Sequence, residues 1–153
     1  MRAAFEGVTV ADVMTPADHV TTVPEDMSVR ELIQTMFKER HTGYPVERGG
    51  EVVGLVTLED ARAVQEVERE AYTVGDVMTT EIITISPETD VMDALTSLQQ
   101  NSVGRLLVTD EDDSFEGLLT RTDIMTALSI IKSSGDFTPI GETETETAGR
   151  NQG

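Results

Sequence analysis

The sequence of 153 residues has no cysteine, no tryptophan and only two histidines, His19 and His41. The lack of cysteine excludes disulfide bonds, thiolate zinc sites and a cysteine nucleophile. Two histidines so far apart in the chain do not form an obvious metal cluster, so we predict no metal site. Because tryptophan is absent and hydrophobic residues make up 38% of the chain, we expect an aliphatic core.

Positive charge is also scarce, since 11 Lys and Arg stand against 29 Asp and Glu, which gives a formal net charge of −18. A general nucleic-acid-binding protein needs a basic surface, so we expect no nucleic acid partner. A charge this far from zero exceeds what a small domain needs for solubility. We therefore interpret the chain as a halophilic, acidic protein, and the alternative is a mildly acidic mesophilic protein.

Long hydrophobic runs are missing as well. No apolar run approaches the roughly 20 residues that a helix needs to cross a bilayer. The first ten residues lack the apolar core of a signal peptide. We expect a cytoplasmic chain without direct membrane insertion, either free-standing or as the soluble part of a membrane protein.

The sequence does contain an internal repeat. Residues 9–15 (TVADVMT) recur 64 positions later as TVGDVMT, and residues 54–60 (GLVTLED) recur 63 positions later as GLLTRTD. Ordered self-similarity at a fixed period indicates repeated structural units. We predict a first unit at 1–72, a second unit at 73–134 and a disordered acidic tail at 135–153.

The first copy predicts the order strand, helix, strand, strand, helix. β-Branched residues indicate a short strand at 20–23, and apolar residues at helical spacing indicate a helix from 29 to 37. A hairpin is expected over 44–57 with its turn at Gly49-Gly50, followed by a helix over 58–71.

The second copy predicts the same order of elements. A strand is expected at 82–85, a helix from 91 to 98, a hairpin over 105–119 and a final helix over 122–132. The fold class is therefore mixed α/β (α+β), with two βαββα repeats.

Each copy closes with the motif Gly-x-x-Thr-x-x-Asp, which places Thr57 and Asp60, or Thr120 and Asp123, where a strand passes into a helix. On the motif alone we favour a helix cap, in which Thr and Asp bond each other's backbone N–H groups. The same spacing opens each copy, where we interpret it as a cap only. The functional alternative is a nucleotide site, because such a turn presents backbone donors to a phosphate and Asp accepts from ribose hydroxyls.

The repeated Asp-Val-Met-Thr segment, the Gly-Tyr-Pro-Val and Gly-Arg-Leu-Leu-Val strands and the closing motif resemble a tandem pair of CBS (cystathionine-β-synthase) domains, a Bateman module. The resemblance covers roughly residues 9–132. It implies two units related by a pseudo-twofold axis, a cleft where their strands meet, and a homodimer shaped as a flat disc. It also implies an adenosyl ligand (AMP, ADP, ATP or S-adenosylmethionine) in that cleft, with no required cofactor.

The resemblance further implies which residues bind the ligand. The phosphate and ribose contacts are Thr57, Asp60, Thr120 and Asp123. The residues that flank adenine are Thr21, Thr22, Ile83 and Thr84. The apolar wall is formed by Tyr44, Pro45, Arg105 and Leu106.

Two of the cations, Arg105 and Arg121, belong to the second copy. Because a cation strengthens hydrogen bonds to an anion, we predict that this copy binds phosphate better. The alternative for Arg121 is a solvated residue in the first turn of its helix. The net charge of −18 favours AMP or a nucleoside over ATP, since it repels a polyanion.

No nucleophile with its base and orienting residue is visible, nor is a phosphate-binding loop, so we expect no enzyme activity from this chain. We expect a regulatory module that binds an adenosyl ligand and signals to a partner protein or a fused domain. The alternative is a ligand-free module for dimerisation or interaction. The full pattern, including His-Thr-Gly-Tyr-Pro-Val, is also similar to the cytoplasmic CBS tail of site-2-type intramembrane zinc metalloproteases, which would make the chain a regulatory fragment of a membrane protease.

Overall fold

The computed structural model describes residues 6–134. The tail predicted at 135–153 lies outside the described residues. The elements in chain order are α1 (Val10–Val13), β1 (Thr15–Pro16), β2 (Val23–Pro24), α2 (Val29–Glu39), β3 (Gly43–Arg48), β4 (Glu51–Thr57), α3 (Leu58–Arg62), α4 (Val74–Val77), β5 (Thr84–Ile85), α5 (Val91–Asn101), β6 (Arg105–Thr109), β7 (Phe115–Thr120) and α6 (Arg121–Ser134).

The mixed α/β fold with two βαββα patterns is confirmed. The strands that open each pattern, β2 and β5, have only two residues and are shorter than expected. The helix predicted over 58–71 is wrong beyond Arg62, where α3 ends. The chain turns there because Gln65 is extended, and Arg69 donates from its Nε to the carbonyl of Val64 at 2.9 Å.

The first copy builds a three-stranded sheet in the order β2-β3-β4. Strand β2 is parallel to β3, with Val23 beside Val46, and β3 is antiparallel to β4. The predicted hairpin turn is confirmed, since Gly49 and Gly50 have φ angles of +58° and +87°. A two-residue turn with positive φ at both positions matches the twist of the flanking strands, and glycine adopts such angles without steric cost.

The second copy builds a four-stranded sheet in the order β1-β7-β6-β5. Strand β5 is parallel to β6, and β6 is antiparallel to β7. The fourth strand, β1, comes from the start of the chain and pairs antiparallel with β7, with Thr15 beside Leu118.

The described residues form two compact units, one made of residues 21–82 and one made of residues 6–20 together with residues 83–134. Each sequence copy therefore gives its opening segment to the unit that the other copy builds. In the unit of residues 21–82, Thr79 exchanges backbone hydrogen bonds of 2.9 and 2.8 Å with Leu55. The boundary predicted at 72/73 separates the two sequence repeats, whereas the compact units are separated at 20/21 and at 82/83.

Each unit has its own hydrophobic core of buried side chains. The core of residues 21–82 contains Val23, Val29, Leu32, Met36, Tyr44, Val46, Val56, Ala61, Val64 and Val74. The other core contains Val8, Val10, Val91, Ala94, Leu98, Leu106, Val108, Leu119, Ile124 and Ile131. Apart from Tyr44 and Met36 these side chains are aliphatic, as the composition predicts. Among the helices of residues 6–134, none has the length and hydropathy that a membrane span requires.

An exposed ion pair joins the end of β3 to the loop after β2. Arg48 donates from Nε and Nη2 to the two carboxylate oxygens of Glu25 at 2.6 and 2.8 Å. The hydrogen bond from Arg48 holds the pKa of Glu25 below its ordinary value of 4.5. Because the folded-state pKa is depressed, the stabilisation is present above pH 4.5 and is lost as the pH falls through the folded-state pKa.

We expect Arg48→Gln to raise the titration midpoint of the Glu25 carboxyl group towards its ordinary value. The measurement is an NMR pH titration of the side-chain carboxyl carbons in both proteins. Arg30→Gln serves as the control, since Arg30 pairs with Glu70, and it is expected to leave the Glu25 midpoint unchanged. An unchanged midpoint for Glu25 would show that the ion pair does not set its pKa.

Candidate functional site

In the unit of residues 21–82, the closing motif lies where β4 ends and α3 begins. The N–H and the hydroxyl of Thr57 both donate to Oδ2 of Asp60, at 2.9 and 3.1 Å. The N–H of Asp60 donates back to Oγ1 of Thr57 at 3.4 Å. The helix-cap interpretation is confirmed, and this capping box leaves Oδ1 of Asp60 outside its hydrogen bonds.

The sheet register brings the other predicted residues of the first copy to the same end of the sheet. Gly43, the first residue of β3, pairs with Thr57. Since β2 is parallel to β3 and Val23 pairs with Val46, Thr21 and Thr22 precede β2 at the end where β3 begins. Thr21 is exposed and Thr22 is half-buried. We call this group the Thr57 end.

The predicted apolar wall of the Thr57 end is carried by β3. The side chain of Tyr44 packs in the core with 1% exposure, and its hydroxyl donates to Oε1 of Glu39 at 3.0 Å. Burial, together with the Glu39 carboxylate, raises the pKa of Tyr44 above its ordinary value. Pro45 is also buried. The ring of Tyr44 therefore belongs to the core of the unit.

The second unit repeats this arrangement at the junction of β7 and α6. The N–H of Thr120 donates to Oδ2 of Asp123 at 3.2 Å, and the N–H of Asp123 donates to Oγ1 of Thr120 at 2.9 Å. Thr84 pairs with Leu107 across the parallel strands, and the carbonyl of Ile83 accepts from the N–H of Leu107 at 3.1 Å. The predicted residues of this copy therefore also meet at one end of a sheet, which we call the Thr120 end.

Two arginines distinguish the Thr120 end. Arg105 pairs with Thr120 across β6 and β7 and is half-buried, whereas Arg121 is exposed at the start of α6. Burial lowers the pKa of the Arg105 guanidinium below its ordinary value, and the Asp123 carboxylate opposes that shift.

The register also refines how the two copies correspond. Arg105 occupies the position of Gly43, since each pairs with the Thr of the closing motif. Leu106 therefore corresponds to Tyr44, and both side chains are buried in their cores.

Sequence reasoning did not identify the role of Gly54 and Gly117. These glycines lie against the opening segments of the two copies, residues 73–79 and residues 9–15. A Cβ atom at Gly117 would lie 2.6 Å from the carbonyl oxygen of Thr15, and one at Gly54 would lie 2.8 Å from that of Thr79. The available signal was a glycine at the same place in the last strand of both copies, since a strand glycine often marks a close backbone approach.

An open hollow of about 400 Å³ lies at the opposite end of β5 and β6 and had not been predicted. It is lined by Thr84, Ile85, Ser86, Pro87, Glu88, Thr109, Asp110, Glu111 and Asp112. Across residues 6–134, no three His, Asp or Glu side chains are placed to hold a metal ion. The acidic lining therefore does not form a cation site by geometry.

The two βαββα patterns match a known sequence family. The profile of the CBS domain matches residues 10–66 and 74–130. The chain belongs to the CBS domain family. This confirms the resemblance that the repeated motifs predicted.

Relatives of this CBS pair include longer proteins. A zinc metalloprotease of Methanocaldococcus jannaschii is 29% identical over 128 residues, which cover 84% of this chain and 34% of the metalloprotease. The chain spans between 33% and 36% of the length of the first curated relatives it matches.

Solved CBS structures share the fold. CBSX2 of Arabidopsis thaliana, solved in complex with AMP, has a TM-score of 0.72 and 31% identity, and the match covers 82% of this chain and 99% of CBSX2. The CBS domain of a bacterial CNNM/CorC family Mg²⁺ transporter, solved in complex with ATP, has a TM-score of 0.76, covering 89% of this chain and 94% of that chain. Its identity of 20% supports the fold alone.

Proposed function

We propose that this CBS pair is a regulatory module that binds an adenosyl ligand at the Thr57 end and the Thr120 end of its sheets. One observation carries the proposal: in each unit, the residues before the first strand, the start of the second strand and the Thr-x-x-Asp turn meet at one end of a sheet. The AMP complex of CBSX2, at 31% identity, supports adenine nucleotides as the ligand class.

The chemistry at each end suits a nucleotide. Backbone N–H and C=O groups at the sheet end are available to the edge of adenine, and the Asp carboxylate can accept hydrogen bonds from ribose hydroxyls. The Thr hydroxyl and the first N–H groups of the following helix are donors for a phosphate. The capping box is compatible with this role, because Oδ1 of Asp60 lies outside its hydrogen bonds.

The ligand signal would pass to a partner protein or a fused domain. A ligand shifts an equilibrium between two arrangements only by its difference in affinity for them. The match to the metalloprotease of M. jannaschii favours the regulatory fragment of a membrane zinc protease as one context. Homodimerisation, a halophilic origin and a cytoplasmic location stay predictions.

The proposal is tested by isothermal titration calorimetry and thermal unfolding in molar KCl with AMP, ATP and S-adenosylmethionine, using GMP as the control. We expect a binding isotherm and a raised Tm with at least one adenosyl ligand. At a ligand concentration of about 100 Kd, binding stabilises the folded state by about 2.7 kcal/mol. An absence of heat and of a Tm shift with all three adenosyl ligands would leave the chain as an interaction module without a nucleotide.

A further inference from the structure

Building on the proposed function, we infer that the two ends select different adenosyl ligands according to ligand charge. The Thr120 end takes phosphorylated ligands such as AMP. The Thr57 end takes adenosyl ligands without a phosphate, either uncharged or cationic. The inference rests on the side chains that the register places at equivalent positions of the two ends.

Four equivalent positions around the closing motif differ in charge. Three pairs, first copy before second, make the second copy more positive by one unit each: Gly43 and Arg105, Leu58 and Arg121, and Glu59 and Thr122. The fourth pair, Arg62 and Met125, makes the second copy more negative by one unit, so the second copy is more positive by two units in all. The two capping boxes therefore have similar geometry but lie in different electrostatic environments.

At the Thr120 end, the two arginines outnumber the one carboxylate of the motif. Arg105 stands beside Thr120 in the sheet, and its charge and that of Asp123 interact. Arg121 follows directly and is exposed. Arginine presents planar donors that match phosphate oxygens, and such charge-assisted bonds are about twice as strong as neutral ones. Two of the nine arginines of this acidic chain therefore lie where they can donate charge-assisted hydrogen bonds to a phosphate.

At the Thr57 end, acidic groups prevail. Asp60 closes the capping box, and the neighbouring Glu59 is exposed, with its carboxylate 3.4 Å from Nη2 of Arg62. Gly43 and Leu58 offer no charge where the other copy has arginine. Because Arg62 offsets the charge of Glu59, one net negative charge, that of Asp60, remains at this end to repel a phosphate. Adenosine avoids that repulsion, and the sulfonium of S-adenosylmethionine is attracted.

The test uses two variants of the full chain, each of which keeps one end intact. Thr57→Ala/Asp60→Ala isolates the Thr120 end, and Thr120→Ala/Asp123→Ala isolates the Thr57 end. Calorimetry in molar KCl gives the Kd of AMP and of adenosine for each. We expect AMP to bind about tenfold or more tightly than adenosine at the Thr120 end. At the Thr57 end, we expect adenosine to bind at least as tightly as AMP.

Two charge variants test the cause. Arg121→Gln changes an exposed residue and is expected to lower the preference of the Thr120 end for AMP without altering adenosine binding. Leu58→Arg/Glu59→Thr transfers two of the charge differences to the first copy and is expected to shift the preference of the Thr57 end towards AMP. Circular dichroism melting curves establish that each variant is folded.

The outcomes separate this inference from the proposed function. Equal ratios of AMP to adenosine affinity at the two ends would overturn the charge selection and leave nucleotide binding in place. An absence of binding of both adenosine and S-adenosylmethionine at the intact Thr57 end would also overturn it. If AMP, adenosine, ATP and S-adenosylmethionine all fail to bind the unaltered chain, the proposed function fails and the charge selection fails with it.

Discussion

The double variant Thr120→Ala/Asp123→Ala is expected to bind AMP about a hundredfold more weakly than the unaltered chain. The variant removes one hydroxyl donor and one charged acceptor from the Thr120 end, whose bonds contribute about 1 and about 2 kcal/mol. The capping box is lost as well, which costs about 1 kcal/mol of folding stability. Calorimetry with AMP and thermal unfolding without ligand measure the two effects separately.

A matched control exists in the same chain. Thr73 and Asp76 form the same capping box, with the N–H of Thr73 donating to Oδ2 of Asp76 at 2.9 Å. They lie at the other end of their sheet, where the N–H of Gly75 donates to the carbonyl of Glu25 just after β2. We expect Thr73→Ala/Asp76→Ala to cost similar stability and to leave AMP binding unchanged. If both double variants change AMP affinity equally, the closing motifs act as caps only.

The substitution Gly117→Ala is expected to destabilise its unit by about 3 kcal/mol, at the upper end of the usual cost of overpacking. The added Cβ would lie 2.6 Å from the carbonyl oxygen of Thr15 and 2.7 Å from Sδ of Met14. The methionine can move, but the carbonyl oxygen belongs to β1, which pairs with β7 at Thr15 and Leu118. Relief of the clash therefore requires a shift of the β1 backbone away from β7.

The control for this prediction is Gly104→Ala. A Cβ atom there would meet nothing within 4 Å, so we expect the stability to change by less than about 0.5 kcal/mol. Denaturant unfolding followed by circular dichroism compares the two variants. Equal stabilities would show that the exchanged segment does not lie against Gly117. Gly54→Ala is expected to behave like Gly117→Ala, since its Cβ would lie 2.8 Å from both Sδ of Met78 and the carbonyl oxygen of Thr79.

The features that the sequence predicts well are those that neighbouring residues determine. The hairpin turn follows from two consecutive glycines, and α2 follows from apolar residues that repeat at helical spacing. The four Thr-x-x-Asp caps follow from a spacing of three residues. Each of these needs only a few residues in a row, so local chemistry is enough to specify it.

The exchange of opening segments could not be predicted from local sequence. Residues 9–15 and 73–79 are nearly identical, so nothing within either segment says which copy it packs against. The choice depends on contacts between residues about a hundred positions apart, such as Thr15 with Leu118.

The partial burial of Arg105 was beyond sequence reasoning. The sequence predicts a hairpin over 105–119, but it does not show that Arg105 pairs with Thr120 or how far its side chain is covered. A shift of one residue would move the side chain to the other face of the strand, so the observed register decides where the arginine lies.

A crystal structure of the full chain soaked with AMP tests nucleotide binding at the sheet ends most directly. We expect the phosphate to contact Thr120 and the guanidinium of Arg105 or Arg121, and the ribose hydroxyls to contact Asp123. AMP bound away from both sheet ends, or crystals that stay free of AMP at a concentration that saturates binding in solution, would contradict it.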